Sequence, residues 1–282
     1  MHFKNQIYQI FRIEAGKALQ IYQLFKYGAM LLANILLVKL GLSVEEISKY
    51  ELFLFWTAAA GWFWLDAIIR AMLIRNSENN SDSFAILLLL STLAAIVVFF
   101  IFPENSNAWL LSLYILFSYP ANLIEYLFFL KNKTKALLVY AIISNILFIA
   151  IIIGNLLFHQ TVEVIFSWLV VLSVAKFGYL TFLLQKTGFK LQLKNWQAIS
   201  KLGIPLAGGS LVAGAAPYFD SWLVNRYFDA ELFAIFRYGA KELPIVAIVA
   251  NTFSNSMLPK FSKEPLNRLL CEIKNRSTKL MH

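Results

Sequence analysis

Ala136–Phe158, ALLVYAIISNILFIAIIIGNLLF, is the stretch that decides the fold. It contains no Asp, Glu, Lys or Arg. A bilayer core about 30 Å thick takes roughly 20 apolar residues per helix. Lipid offers the backbone no hydrogen-bond partners, so a spanning segment is either a helix or part of a closed barrel. Barrel strands alternate polar and apolar residues over about ten positions, whereas this run is continuous. Phe84–Phe102 reads the same way. Working outward from these two runs, eight spans are expected: Gly16–Leu42, Tyr50–Ile74, Ser83–Phe102, Trp109–Leu130, Ala136–Phe158, Val162–Leu184, Gly203–Tyr227 and Leu232–Leu258. The expected fold class is an all-α polytopic transmembrane helix bundle.

The composition agrees. Of 282 residues, 59% are hydrophobic and 15% charged, and the mean hydropathy is +0.65; a soluble domain carries about 25% charged residues. The single cysteine, Cys271, excludes an internal disulfide framework. His2, His159 and His282 form no zinc-binding spacing. No P-loop, metal motif or Ser/His/Asp set is present, so neither an enzyme nor a resident cofactor or metal is expected. The first long apolar run begins late and lacks a small-residue cleavage pattern, so no cleavable signal peptide is expected.

The net charge of +9 has a topological explanation. Lys4 and Arg12, Arg75, then Lys131, Lys133 and Lys135, then Lys186, Lys190, Lys194 and Lys201, then the tail from Lys260 to Lys279, occupy every second connection. The intervening connections carry Glu45 and Glu46, Glu104, Glu163, and Asp229 with Glu231. This is the positive-inside pattern with both termini cytoplasmic, and it removes the need for a nucleic-acid partner.

The longest basic connection, Leu184 to Lys201, divides the chain. Residues 1–201 are expected to form a first six-helix lobe with a basic cytoplasmic linker. Residues 202–282 would supply the first two helices of a second lobe and a basic cytoplasmic tail. The two parts look like a parallel repeat: Leu37-Val38-Lys39 aligns with Leu223-Val224-Asn225, Gly16 with Gly203, and Tyr50 with Tyr238.

Ionisable residues inside spans are costly and usually face a bundle interior or a water cavity. Asp66 and Arg70 lie four apart with Trp62 a turn before, and read as a local ion pair, as cavity residues, or as both. The seventh span holds Pro205, Gly208, Gly209, Gly214 and Pro217, then Asp220 and Arg226. It reads either as an interrupted span at a binding site or as a helix with small residues for tight packing. In the eighth span Arg237, Lys241, Asn251 and Asn255 fall on one stripe of about 80°, with Glu242 beside it. In the first, Gln23, Lys26, Tyr27 and Asn34 share a face if the span starts at Gly16; otherwise Lys26 is an inner-end anchor. Glu125 and Lys176 are candidates for a structural pair.

Two regions carry a family likeness. Gln20 to Leu73 includes Gln23-Leu24-Phe25-Lys26-Tyr27-Gly28, Gly41-Leu42-Ser43-Val44-Glu45-Glu46-Ile47 and Tyr50-Glu51-Leu52-Phe53-Leu54-Phe55. Leu202 to Phe261 includes Phe233-Ala234-Ile235-Phe236-Arg237-Tyr238-Gly239-Ala240-Lys241-Glu242-Leu243-Pro244 and Ser256-Met257-Leu258-Pro259-Lys260. Both resemble the lipopolysaccharide or polysaccharide biosynthesis proteins, O-antigen-flippase type, of the multidrug/oligosaccharidyl-lipid/polysaccharide exporter superfamily. The resemblance implies two six-helix lobes, a central cavity lined by spans one, two, seven and eight, and flipping of a polyprenyl-diphosphate-linked oligosaccharide across the bacterial inner (plasma) membrane by alternating access. On that expectation Lys26, Arg70, Arg237 and Lys241 attract the diphosphate, Trp62, Asn251 and Asn255 contact the sugar, and Asp66 and Asp220 hold a coupling proton or sodium ion. The expected partners are the lipid-linked oligosaccharide and membrane lipids. The chain stops in a basic tail, Lys260–His282, before a ninth span, so a fragment, a truncated gene or a further chain supplying the missing spans is expected. Other readings are a drug or organic-cation exporter, which would call for excess carboxylate in the cavity, a glycan-lipid enzyme, which would need a large outer loop, and a non-transporting subunit.

Overall fold

A computed structural model describes residues 14–39, 41–76, 80–101, 107–158, 161–186, 188–239, 245–262 and 264–281. Among them the chain is helical, with no strand. The helices are α1 (Ala15–Lys39), α2 (Val44–Ala59), α3 (Trp64–Arg75), α4 (Ser81–Ile101), α5 (Ala108–Ala121), α6 (Leu123–Leu130), α7 (Thr134–Leu157), α8 (Val162–Gln185), α9 (Leu193–Tyr227), α10 (Ala230–Gly239), α11 (Ile245–Met257) and α12 (Leu266–Met281), with a 3-10 turn at Leu258–Lys260. Six segments of the described residues are long and apolar enough to cross a bilayer, and α2 with α3, bent by 47°, makes a seventh. The protein is a polytopic helical membrane bundle. The eighth expected span appears as two short helices, α10 and α11, on either side of residues 240–244, which lie outside the described residues.

Local chemistry explains the starts and breaks. Gly41 takes φ +92° at the turn after α1, a backbone region open to glycine. Ser43 then caps α2: its Oγ accepts from the Glu46 amide at 3.2 Å, and Glu46 Oε2 accepts from the Ser43 amide at 3.4 Å, a capping box. At the break between α2 and α3, carbonyls lose their helical partners, a heavy cost in lipid. Side chains replace them. The Trp64 indole donates to the Ala60 carbonyl at 2.9 Å and the Tyr119 hydroxyl donates to the Thr57 carbonyl. Gly61 leaves room for the Tyr119 ring, which an added Cβ would approach to 2.7 Å. The break between α5 and α6 follows Pro120, which lacks an amide donor.

The apolar interior forms two clusters. One joins the first halves of α1, α4 and α7 to α3, α6 and the end of α8. The other joins the second halves of α1, α4 and α7 to α2, α5 and the start of α8. Outward-facing Ile96, Val97, Phe100, Ile146 and Val171 remain exposed, as lipid contact requires. The later helices cross over onto the earlier ones: α9 packs on α3, α10 on α2 and α11 on α1.

The Leu184–Lys201 connection is partly helix, because α9 starts at Leu193 and runs unbroken for 35 residues. Of the two readings of span seven, the interrupted one is not observed: α9 is continuous despite Pro205 and Pro217. Each proline removes one donor without stopping the helix, and two of the glycines, Gly203 and Gly214, sit at close contacts. A Cβ on Gly203 would meet Ile68 at 3.1 Å, and one on Gly214 would meet the Trp62 ring at 2.4 Å.

The start of α9 is clamped to α4. Asp82, in the first turn of α4 and 1% exposed, accepts from the Gln192 amide at 2.8 Å, Asn195 Nδ2 at 2.8 Å and Trp196 Nε1 at 3.2 Å. Arg75 completes the clamp, donating to the Asn195 carbonyl at 3.2 Å and to its Oδ1 at 2.6 Å.

Candidate functional site

A cavity of 470 Å³ opens where the early and late helices meet. Trp62, at the α2–α3 break, and Asp66 and Arg70, on α3, form one wall. Gln23 and Tyr27 of α1 form a second, and Tyr126 of α6 and Tyr218 of α9 contribute rings. Asn251, Thr252 and Asn255 of α11 close it. The structure thus brings together Trp62, Asp66, Arg70, Asn251 and Asn255 of the expected site.

Asp66 and Arg70 are an ion pair, Oδ2 to Nε 2.7 Å, with both side chains about one-third exposed toward the cavity. Within the described lining these two charges cancel and the other groups are neutral. Asn255 is 8% exposed, and its Oδ1 has no partner among the described residues. Trp62 stacks obliquely on Tyr218, ring centroids 4.8 Å apart, and contacts Phe63 edge-on at 5.7 Å. Packed against Tyr218 and Phe63, the Trp62 ring must shift to admit a Cβ at Gly214. Gly214→Ala is therefore expected to destabilise the protein by about 1–3 kcal/mol through overpacking. Gly208→Ala, with nothing within 4 Å of the added Cβ, should be neutral or stabilising by up to about 1 kcal/mol through helix propensity. Thermal unfolding of the two detergent-purified variants checks the contrast; equal midpoints would refute it.

Arg237, Asp220 and Lys26 of the expected site lie elsewhere. Arg237 reaches Glu51, Nε to Oε2 3.5 Å, donates Nη1 to Ser221 Oγ at 3.4 Å, and sits over the Phe55 ring at 5.7 Å. Its charge is met by a carboxylate that is fully buried. Of the stripe expected from Arg237 to Asn255, Arg237 lies on α10 and Asn251 and Asn255 on α11, and residues 240–244 between these helices lie outside the described residues. Lys241 lies outside the described residues, as does Glu242. Asp220 is exposed on α9 and is not part of the cavity. Lys26 faces a separate, smaller cavity, where it pairs with Glu125 at 3.6 Å and donates to Asn122 Oδ1 at 3.4 Å. Glu125 thus pairs with Lys26 rather than with Lys176. Between the two cavities stands Gln23, which lines the larger and donates to Glu125 Oε1 at 3.1 Å.

Sequence reasoning missed Glu51, Tyr126 and Tyr218. Glu51 carried a usable signal, an ionisable residue inside a predicted span, but its place beside the expected boundary at Tyr50 made it look interfacial. Among the described residues no group of three or more His, Cys, Asp or Glu side chains is placed to hold a metal ion. Compared with protein-family models, curated proteins and solved structures, the chain matches none.

Proposed function

We propose that this protein takes part in moving a polyprenyl-diphosphate-linked oligosaccharide across the bacterial inner membrane, in surface polysaccharide or lipopolysaccharide biosynthesis, with both termini in the cytoplasm. The observation that carries the reading is the 470 Å³ cavity, whose walls come from α1 and α3 on one side and α9 and α11 on the other. Aromatic faces at Trp62, Tyr126 and Tyr218 alternate with amides at Gln23, Asn251 and Asn255. Sugar rings offer C–H faces for stacking and hydroxyls for amide hydrogen bonds. Helices from two parts of the chain that exchange contacts can open the cavity alternately to either leaflet.

The Asp66–Arg70 pair supplies a mechanism for coupling. While Asp66 is ionised it holds Arg70 at 2.7 Å. A proton on Asp66 releases the guanidinium, which then binds a phosphate oxygen through charge-assisted hydrogen bonds. Protonation of Asp66 and phosphate binding at Arg70 are therefore linked through this pair. In this proposal Asp66 carries the coupling role and Arg70 the phosphate contact, while Arg237 is structural. A cavity for organic cations would hold an unpaired carboxylate, and the described lining holds none.

The test is complementation of a strain lacking this gene, reading surface glycan and inner-leaflet lipid-linked precursor. Arg70→Gln and Asn251→Ala with Asn255→Ala are expected to cut surface glycan by about tenfold or more, the loss of one charge-assisted or two neutral contacts, with precursor accumulating and protein level unchanged. Normal display at normal level in both variants would reject the proposal. Reporter fusions at Asp229 should read external and at Lys133 and Lys190 internal.

A further inference from the structure

The smaller cavity, of 150 Å³, lies inside the bundle of α1, α2 and α5–α8, and its walls draw on both apolar clusters. Three side chains that normally carry charge line it: Lys26, Lys176 and Glu125. Four tyrosines, Tyr22, Tyr50, Tyr114 and Tyr140, also face it and are neutral at physiological pH. Glu125, 3% exposed, is already engaged by Lys26 and Gln23. Lys176, partly buried on α8, has no carboxylate within 4.0 Å among the described residues. With two ammonium groups and one carboxylate, the cavity holds one positive charge in excess. The Ser118 hydroxyl oxygen is occluded in the cavity wall and has no partner among the described residues. Asn34 Oδ1 is similarly unmatched, but a neutral acceptor does not cancel charge.

An ammonium facing a cavity of lowered dielectric is stabilised by a counter-charge. We propose that this cavity binds a monovalent inorganic anion of about chloride's size, held by Lys176. The single excess charge sets the valence. The volume sets the size, room for one small ion with a few waters. The bound anion leaves the Lys26–Glu125 pair intact. This site is separate from the cavity assigned to the glycan and does not depend on that reading. Asn145 also borders a lipid-facing apolar groove between α1 and α7, so an anionic phospholipid headgroup is the alternative source of negative charge.

The experiment uses the full chain in nanodiscs of zwitterionic lipid, replacing gluconate with chloride, and in parallel bromide, at constant ionic strength. The unfolding midpoint of the wild type should climb with halide concentration, as for any ligand that binds the native state. Lys176→Gln should weaken halide affinity by about tenfold or more, consistent with loss of a charge-assisted contact, and Lys176→Arg should retain it. Glu125→Gln, which raises the excess charge, should bind halide more tightly. A midpoint indifferent to halide in the wild type would overturn the proposal without any variant having to fold. So would halide dependence that survives Lys176→Gln, or stabilisation produced by anionic phospholipid and not by halide.

Discussion

Asp82→Ala is expected to destabilise the protein by about 1–3 kcal/mol, the order of cost of donors left without their acceptor. The part-buried Gln192 amide and Trp196 Nε1 lose the carboxylate, and Asn195 Nδ2 loses one of two acceptors, keeping Gln192 Oε1 at 3.1 Å. The carboxylate also sits in the first turn of α4, where the helix dipole favours negative charge. Asp82→Asn keeps an acceptor and loses the charge, so its penalty should fall between those of wild type and alanine. Because the clamp holds the start of α9, protease cutting between residues 188 and 192 should accelerate in Asp82→Ala before global unfolding. Thermal unfolding and limited proteolysis in detergent measure both effects. A midpoint within error of wild type would show that the clamp is not a stabilising element.

The second large effect concerns Arg237 and Glu51. Arg237→Met leaves the Glu51 carboxylate fully buried without its guanidinium, and breaking a buried pair from one side costs about 3–5 kcal/mol. Glu51→Gln should cost less, because the Arg237 side chain is 25% exposed and can reach water. The double replacement Glu51→Leu with Arg237→Met removes both charges and should recover most of the loss, since apolar substitutes for a buried pair are often neutral or stabilising. A double variant no more stable than Arg237→Met alone would refute the pairing. The same double variant separates structure from recognition: restored stability with normal surface glycan assigns Arg237 to the scaffold, and restored stability without glycan returns it to the substrate path.

Helix positions were legible where one segment's own hydropathy decides them. Ser83–Phe102 is observed as Ser81–Ile101, and Ala136–Phe158 as Thr134–Leu157. Lipid demands a continuous apolar run, and such a run can be read without knowing its neighbours. The breaks were not legible. Residues 60–63 carry little local punctuation beyond Gly61, and the bend there relies on Tyr119, a residue of another helix. Conversely, α9 contains the most conspicuous punctuation in the chain and stays whole. The candidate cavity was legible in part for the same reason. Asp66, Arg70 and Trp62 sit on one short stretch, so their spacing alone groups them. Arg237 was grouped with Asn251 and Asn255 by helical phase alone, and its described contacts are instead with Glu51, Ser221 and Phe55. The first span's polar face was read as one surface, yet Tyr27 lines one cavity and Lys26 the other. Which neighbour a side chain meets is decided by packing between helices, and a single sequence does not encode that separately from the fold.

The Asp82 clamp also has a consequence for biosynthesis. Every partner described for this carboxylate comes from residues 192–196, which the ribosome makes only after α4 through α8. A nascent chain paused before that point has inserted its first helices but carries an acidic side chain with its described contacts still unmade. Arrival of the α9 start completes the earlier bundle and supplies the missing donors in one step. Chains ending before Gln192 are therefore expected to be less resistant to protease than chains extending past Trp196.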